Sequence, residues 1–367
     1  MEKIFEKDEL TKRERIIRTL EHREVDRATL HDQLSFNPGV ISLYTGRHID
    51  GFNYTVKDIG ETISKTLDSC FLPVSPRGTE KVTDEFGFVF QNDNWTSWHI
   101  SRPFHDEDGA KDWLLKRIQQ EQRFKSDFSA EKFRLSYHDY IKNLQCLIGE
   151  TVLIDFSIGT GFCEVFDRMG LEIYTFFQLE YPDVLTEFME LSTENAVSKV
   201  KAAADADLSP VALIAEDFST KQGPIFSPEF LYRYHFPYLK RLTKAWRDGG
   251  IKVIYHSDGN YKKVIPDLIG CGVDGFYCLQ PDCCMDIVEL KNTYPQMVWA
   301  GGVDGIDLLE RGTPEQTRLE VERHITQTNA LRTGGMLVAS SSEINPSVKP
   351  ENFKAMVDAV GEFRNNK

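Results

Sequence analysis

Apolar runs that stop abruptly in polar side chains recur along the chain. The clearest is Lys252-Val-Ile-Tyr-His-Ser-Asp-Gly-Asn260, which follows the Gly249-Gly250 break and ends in His256, Ser257, Asp258, Gly259 and Asn260. Such a pattern predicts a buried strand that hands functional groups to a loop. The same arrangement recurs at Val152–Phe156 before the Gly-rich Ser157–Gly161. It returns at Val211–Ala215 before Glu216-Asp217, at Gly275–Leu279 before Gln280, and at Met297–Val303 before Asp304. Met336–Ala339 runs into Ser340–Glu343, and Ala28-Thr-Leu-His-Asp32 ends in His31-Asp32. With a strand in Leu67–Val74, eight strands are expected, near 28, 68, 152, 212, 252, 275, 298 and 336.

Helical patterns separate most of these strands. Residues 183–205 place Val184, Phe188, Leu191, Val197 and Val200 at helical spacing, and Ser227-Pro228-Glu229 is a cap that opens a helix to about Asp248. Strand bodies that are apolar on both faces imply a parallel sheet. Eight β/α units predict a distorted (β/α)8 TIM barrel, α/β in class, with chemistry at the C-terminal ends of the strands. An open doubly wound sheet is the alternative. A single domain over 1–367 is expected, led in by a helix over 11–22 with a Thr11/Glu14 capping box. Two β-rich runs around Asn92-Asp93-Asn94 predict an inserted hairpin over 79–104, placed to serve a homodimer or to cover a pocket.

Charge narrows the partners. With 57 acids against 43 bases and a net charge of -14, nucleic acid and anionic membranes are disfavoured. No window approaches a membrane helix, and the charged stretch Met1–Leu10 carries no apolar signal region. The seven cysteines are irregularly spaced and form no C-x-x-C pair, which fits a reduced, cytoplasmic protein.

In a barrel the polar strand ends share one cup. Glu216, Asp217, His256, Asp258, Asp304 and Glu343 would bring five carboxylates and one imidazole together. Like charges in one enclosure call for a cation or for raised pKa values. Zn²⁺, which accepts His and carboxylate ligands, is one such cation. Asp304, between Gly-Gly and a helix, also reads as a helix cap. Ser157–Gly161 matches no phosphate-loop spacing, and Ser340–Ser342 lies in no nucleophile elbow.

Longer motifs extend these local signals. They are Arg15–Arg27, Asp84-Glu-Phe-Gly-Phe88, Glu216-Asp217, Gln222-Gly-Pro224, Ser227-Pro-Glu229, Pro237-Tyr238 and Tyr255–Asn260. Gly301-Gly-Val-Asp304, Gly312-Thr-Pro-Glu315, Gly334-Gly335 and Pro350-Glu-Asn352 complete the series. In these residues the chain resembles the uroporphyrinogen decarboxylase superfamily, which includes the cobamide-dependent methyltransferases. The resemblance implies a distorted (β/α)8 barrel. True decarboxylases carry an Arg-Gln-Ala-Gly-Arg motif after the first strand, whereas His31–Asn37 holds no Arg. Thiol-methylating members of the methyltransferase branch bind Zn²⁺ through His-x-Cys and a later Cys. Here Asp258 stands at the first Cys position and Ser340–Ser342 at the second. A site of oxygen and nitrogen ligands is a harder Lewis acid, better suited to polarising oxygen than to activating a thiol.

The resemblance therefore implies a corrinoid-dependent methyltransferase. It would demethylate a methoxylated or methylated small molecule and pass the methyl group to the cobalamin of a separate corrinoid protein. His256, Asp258 and Asp217 are the expected catalytic residues, and Glu216, His256 and Glu343 the expected zinc ligands. His31, Phe36, Tyr255, Gln280 and Ser341 are expected to meet substrate, with Phe276 and Tyr277 as further aromatic candidates. A family-type decarboxylase and a non-catalytic binding barrel are the alternatives.

Overall fold

The computed structural model describes residues 4–155 and 157–365. Phe156, expected to end the third strand, and Met1 to Lys3 of the charged start lie outside the described residues.

The parallel strands are β1 (Thr29–Asp32), β2 (Ser69–Cys70), β3 (Val152–Leu153), β4 (Val211–Ala215), β5 (Lys252–His256), β6 (Gly275–Tyr277), β7 (Val298–Val303) and β8 (Met336–Ser340). They form one curled sheet in the order β3-β2-β1-β8-β7-β6-β5-β4. Every pairing in it is parallel. The outermost strands approach one another at a parallel bridge between Asp155 and Ala212, where the Leu213 N–H donates to the Asp155 carbonyl at 2.9 Å. The architecture is TIM-barrel-like, with strands at the eight positions that the apolar runs mark.

Alternation along the strands divides the core in two. Phe71, Ile154, Leu213, Ile254, Tyr277, Ala300, Leu337 and Ala339 belong to an inner cluster. Leu30, Val253, Tyr255, Phe276, Trp299 and Val338 belong to an outer one, packed with the helices. Helix Lys12–Leu20 carries the expected Thr11/Glu14 capping box. Between β2 and β3 the chain departs into an antiparallel sheet of Lys81–Thr83, Val89–Asn92 and Ser97–Ser101. This region thus holds three strands rather than the two of a simple hairpin. No helix among the described residues is long and apolar enough to cross a membrane.

A buried ion network organises the N-terminal end of the sheet. Asp68, just before β2, accepts from Arg15 Nη1 at 2.8 Å and Arg27 Nη1 at 2.7 Å, and all three side chains are fully excluded from solvent. Asp68 also accepts the Leu30 N–H at 2.9 Å, which ties the network to β1. Arg15 grips Asp26 with two donors, each at 2.8 Å. Burial alone would raise the Asp68 pKa, but Arg27 and Arg15 outweigh it and hold the carboxyl below its ordinary value. The motif at Arg15–Arg27 is therefore structural. Removing the shared carboxylate strands two buried guanidinium groups. Asp68→Ala should destabilise the fold by about 3–5 kcal/mol in urea unfolding. Lys244→Ala, which breaks an exposed pair with Asp248 one helical turn away, should cost less than about 0.5 kcal/mol.

At the other end, Asp32 closes the seam between β1 and β8. Its buried carboxylate accepts the Ser340 Oγ at 2.6 Å, the Ser340 N–H at 3.2 Å and the Gln33 N–H at 3.0 Å. Burial pushes its pKa up to about 7 in spite of these donors. Between its ordinary 3.8 and about 7, the folded chain holds a proton at this site that the unfolded chain has lost. The contribution is full below that window, and stability falls as pH rises through it. Asp32→Asn, which cannot ionise, should show a shallower fall than wild type over the same window. The difference should reach on the order of a few kcal/mol in urea unfolding at a series of pH values.

Candidate active site

The end of β5 delivers His256. Its register partners are Ala215 of β4 and Tyr277 of β6. Alternation with outward Tyr255 turns His256 inward, and its ring lies 5.5 Å from that of Tyr277. Nε2 stands 3.8 Å from Asp217 Oδ1. Nδ1 is buried with no hydrogen-bond partner among the described residues.

The following loop is clamped from two sides. The Gly259 N–H donates to Gln280 Oε1 at 2.6 Å, and the Asn260 N–H to the Thr220 carbonyl at 2.8 Å. Gly259 has φ +77, and a Cβ there would stand 2.7 Å from the Ser219 carbonyl oxygen, so this position needs glycine. Asp258 is fixed by its N–H, which donates to Asp217 Oδ1 at 2.9 Å. Asp217 is half exposed, yet enclosure in the mouth raises its pKa; His256 lowers it and Asp258 raises it further.

Below His256 lies an aromatic floor. His31 meets Phe71 at 4.7 Å and Tyr277 at 5.3 Å edge to face, and Phe71 meets Tyr277 at 5.2 Å. His31 is buried and its Nδ1 lies 3.0 Å from Ser69 Oγ. Burial pushes its pKa down to about 3, so the ring is neutral.

Several other expected residues lie elsewhere or serve the backbone of the mouth. Tyr255 packs in the outer layer, where its hydroxyl lies 2.9 Å from His235 Nε2. His256 and Tyr255 are neighbours on one strand and cannot share a face, so Tyr277 takes the place expected of Tyr255. Phe276 likewise faces out and stacks on Trp299 at 4.9 Å. Glu216 is buried and occupied. It accepts Thr160 Oγ1 at 2.6 Å, the Thr160 N–H at 3.1 Å and the Cys163 N–H at 3.0 Å. It anchors the Gly-rich turn after β3 and is not among the groups gathered at His256. Asp304 caps the short helix Gly305–Glu310 through the Ile306 and Asp307 N–H groups, at 2.9 and 2.6 Å. Phe36 is buried between β1 and helix Pro38–Thr45. Gln280 acts on the loop backbone, as above. Ser341 accepts the Gly305 N–H on its hydroxyl at 3.1 Å. Glu343 is partly buried and its pKa is raised by that burial and by Asp258, which places it within reach of the same field.

One residue had no counterpart in the sequence expectation. Cys278, directly after β6, adopts φ +65, a left-handed conformation that costs a non-glycine residue roughly 1–2 kcal/mol. Gly301 makes room for this turn; a Cβ there would lie 2.8 Å from the Leu279 nitrogen. One ligand atom each from His256, Asp258 and Cys278 lie within 4.8 Å of one another. The mouth expected to hold only oxygen and nitrogen donors therefore also holds sulfur. Burial, reinforced by Asp258, pushes this thiol well above its ordinary range. The unpartnered imidazole nitrogen and this mixed donor set fit a divalent ion of the zinc type.

Known proteins place this geometry in context. Over 182 residues the chain is 20% identical to the methylcobamide:CoM methyltransferase MtbA of Methanosarcina mazei, covering 50% of each sequence. Over 180 residues it is 28% identical to a uroporphyrinogen decarboxylase of Syntrophotalea carbinolica, covering 49% of each. The chain thus spans about half the length of the curated relatives it matches. A solved methyltransferase from Methanosarcina mazei shares the fold with a TM-score of 0.66 at 15% identity, over 96% of this chain and 99% of that one. The family model for uroporphyrinogen decarboxylase (URO-D) matches residues 168–363, more than half of the sequence and the stretch from the end of helix Phe162–Met169 to the last helix, and the chain belongs to that family.

Proposed function

We propose that this protein is a corrinoid-dependent methyltransferase. It takes a methylated or methoxylated small molecule into the mouth and passes the methyl group to the corrinoid of a partner protein. The observation that carries this reading is the inward set of His256, Asp217 and Asp258 above an aromatic floor of His31, Phe71 and Tyr277. The floor suits a flat or apolar body, and the polar rim suits the reacting end.

Asp217 stands 3.8 Å from His256 Nε2, and the buried Nδ1 has no partner among the described residues. His256 and Asp258, two residues apart, would hold a divalent ion such as zinc. When bound, that ion supplies Lewis acidity to the leaving atom. The carbon–oxygen bond breaks as the methyl group passes to the reduced corrinoid, and the electron pair stays on oxygen. Asp217 and Glu343, both raised by enclosure, can hold the proton that this oxygen takes. His31–Asn37 holds no arginine to grip the carboxylates of a porphyrinogen, which favours methyl transfer over decarboxylation.

A panel of methoxylated aromatic and aliphatic compounds, offered with a reduced corrinoid protein, tests the reading through the cobalt absorption spectrum. The expected result is substrate-dependent loss of the Co(I) signal. His256→Ala should lower its rate by about 10²-fold or more. Tyr255→Phe, on the outer face, should stay within a few-fold of wild type. Carbon dioxide release from a porphyrinogen, with no methyl transfer, would falsify it.

A further inference from the structure

The turn at the end of β6 sets the Cys278 sulfur between two oxygens. Sγ lies 2.9 Å from Asp258 Oδ1 and 2.9 Å from the Ser341 carbonyl oxygen. A thiol has one proton, so it can donate to one of them at a time, and the other then faces sulfur lone pairs. The buried His256 Nδ1 has no partner among the described residues. Sulfur, carboxylate oxygen and imidazole nitrogen lie within 4.8 Å of one another. Ligand atoms around one tetrahedral zinc stand roughly 3.3–3.8 Å apart, given bonds of about 2.0–2.3 Å. Small side-chain rotations close that difference.

We propose that Cys278 is the third protein ligand of a zinc-type ion held with His256 and Asp258. The thiolate then comes from the end of β6, a position to which the resemblance assigns no ligand. As the metal–sulfur bond forms, the S–H bond breaks and its proton passes to solvent. The competition between Asp258 and Ser341 for that proton ends with it, and Asp258 turns a lone pair to the metal. Glu216 is excluded by its bonds to Thr160 and Cys163, and Glu343 is the rival third ligand. A three-ligand set leaves the fourth position open toward the mouth, as at catalytic zinc sites. This inference shares with the proposed function a metal held by His256 and Asp258, and metal binding reads it directly.

The full chain, stripped of metal by a chelator and dialysed, is titrated with Co²⁺. It is titrated separately with Zn²⁺ against a chromophoric chelator. Wild type should take up one equivalent, and the Co²⁺ form should show a thiolate-to-cobalt charge-transfer band. Cys278→Ser should abolish the band and weaken Zn²⁺ at least about 10-fold, as loss of a direct ligand should match or exceed the loss of an outer partner. Glu343→Gln should keep the band. Thermal midpoints of the metal-free forms identify any variant that fails to fold. The proposal is overturned if no metal binds, or if the band is absent. It is equally overturned if Glu343→Gln weakens Zn²⁺ while Cys278→Ser does not. Stoichiometric Zn²⁺ binding with the band present, but no methyl transfer, supports this ligand set and counts against the proposed function alone.

Discussion

The period of two along each strand is the constraint on which both core and site depend. In a curled parallel sheet, one face of every strand must satisfy the interior and the other the helices. β5 shows the division most plainly, with Val253 and Tyr255 outside and Ile254 inside. Outward Tyr255 is held by His235, and outward Phe276 by Trp299. These outer contacts fix the strands against the helical layer, and so fix what the opposite face presents. The meeting of His256 with Tyr277 thus follows from strand register as well as from their own ring contact. A slip of one residue would exchange Tyr255 for His256 and dismantle the mouth.

The two ends of the sheet treat charge in opposite ways. At the N-terminal end, Asp68, Asp26 and Asp8 each meet an arginine, and the buried charges neutralise one another. At the C-terminal end, no lysine or arginine pairs with Asp217, Asp258 or Glu343 among the described residues, and His256 is the cation-capable neighbour. Carboxyls left in that state have raised pKa values, as at Asp217 and Glu343. An arrangement that weakens the fold persists where it serves binding or chemistry. The polar end therefore reads as the working end, and the ion-paired end as the foundation.

The sheet was legible because apolar runs mark all eight strands, most of them end in polar stops, and Gly-Gly pairs accompany three of them. The site was legible only in part, and period two explains much of the difference. Ala215 packs against the inner cluster, so Glu216 turns out toward Thr160 and Asp217 returns to the mouth; strict alternation distinguishes the two in advance. The same reasoning separates Tyr277 from Phe276. Residues further than two positions beyond the strand ends obey no such rule. Phe36 and Gln280 lie in irregular segments whose course depends on tertiary contacts. In the excursion between β2 and β3, the run Lys81–Thr83 is short and exposed, and carries too little apolar signal to be separated from its neighbour.

Cys278 shows how far a motif can mislead when it is read along one strand. Comparing His256-Ser257-Asp258 with His-x-Cys suggests that sulfur has been lost, and Ser340–Ser342 suggests the same at β8. The folded chain places Cys278 Sγ in contact with both of those positions, at the Asp258 carboxylate and the Ser341 carbonyl. What brings it there is a left-handed residue accommodated by Gly301, and neither feature is visible in local composition. The consequence is chemical. A site of imidazole and carboxylates alone would favour hard oxygen donors, whereas one sulfur among them gives an intermediate Lewis acid. Under the proposed reaction, the carboxylates around His256 would favour an oxygen leaving group, since they would return a proton to oxygen more usefully than to a thiolate that leaves readily without one.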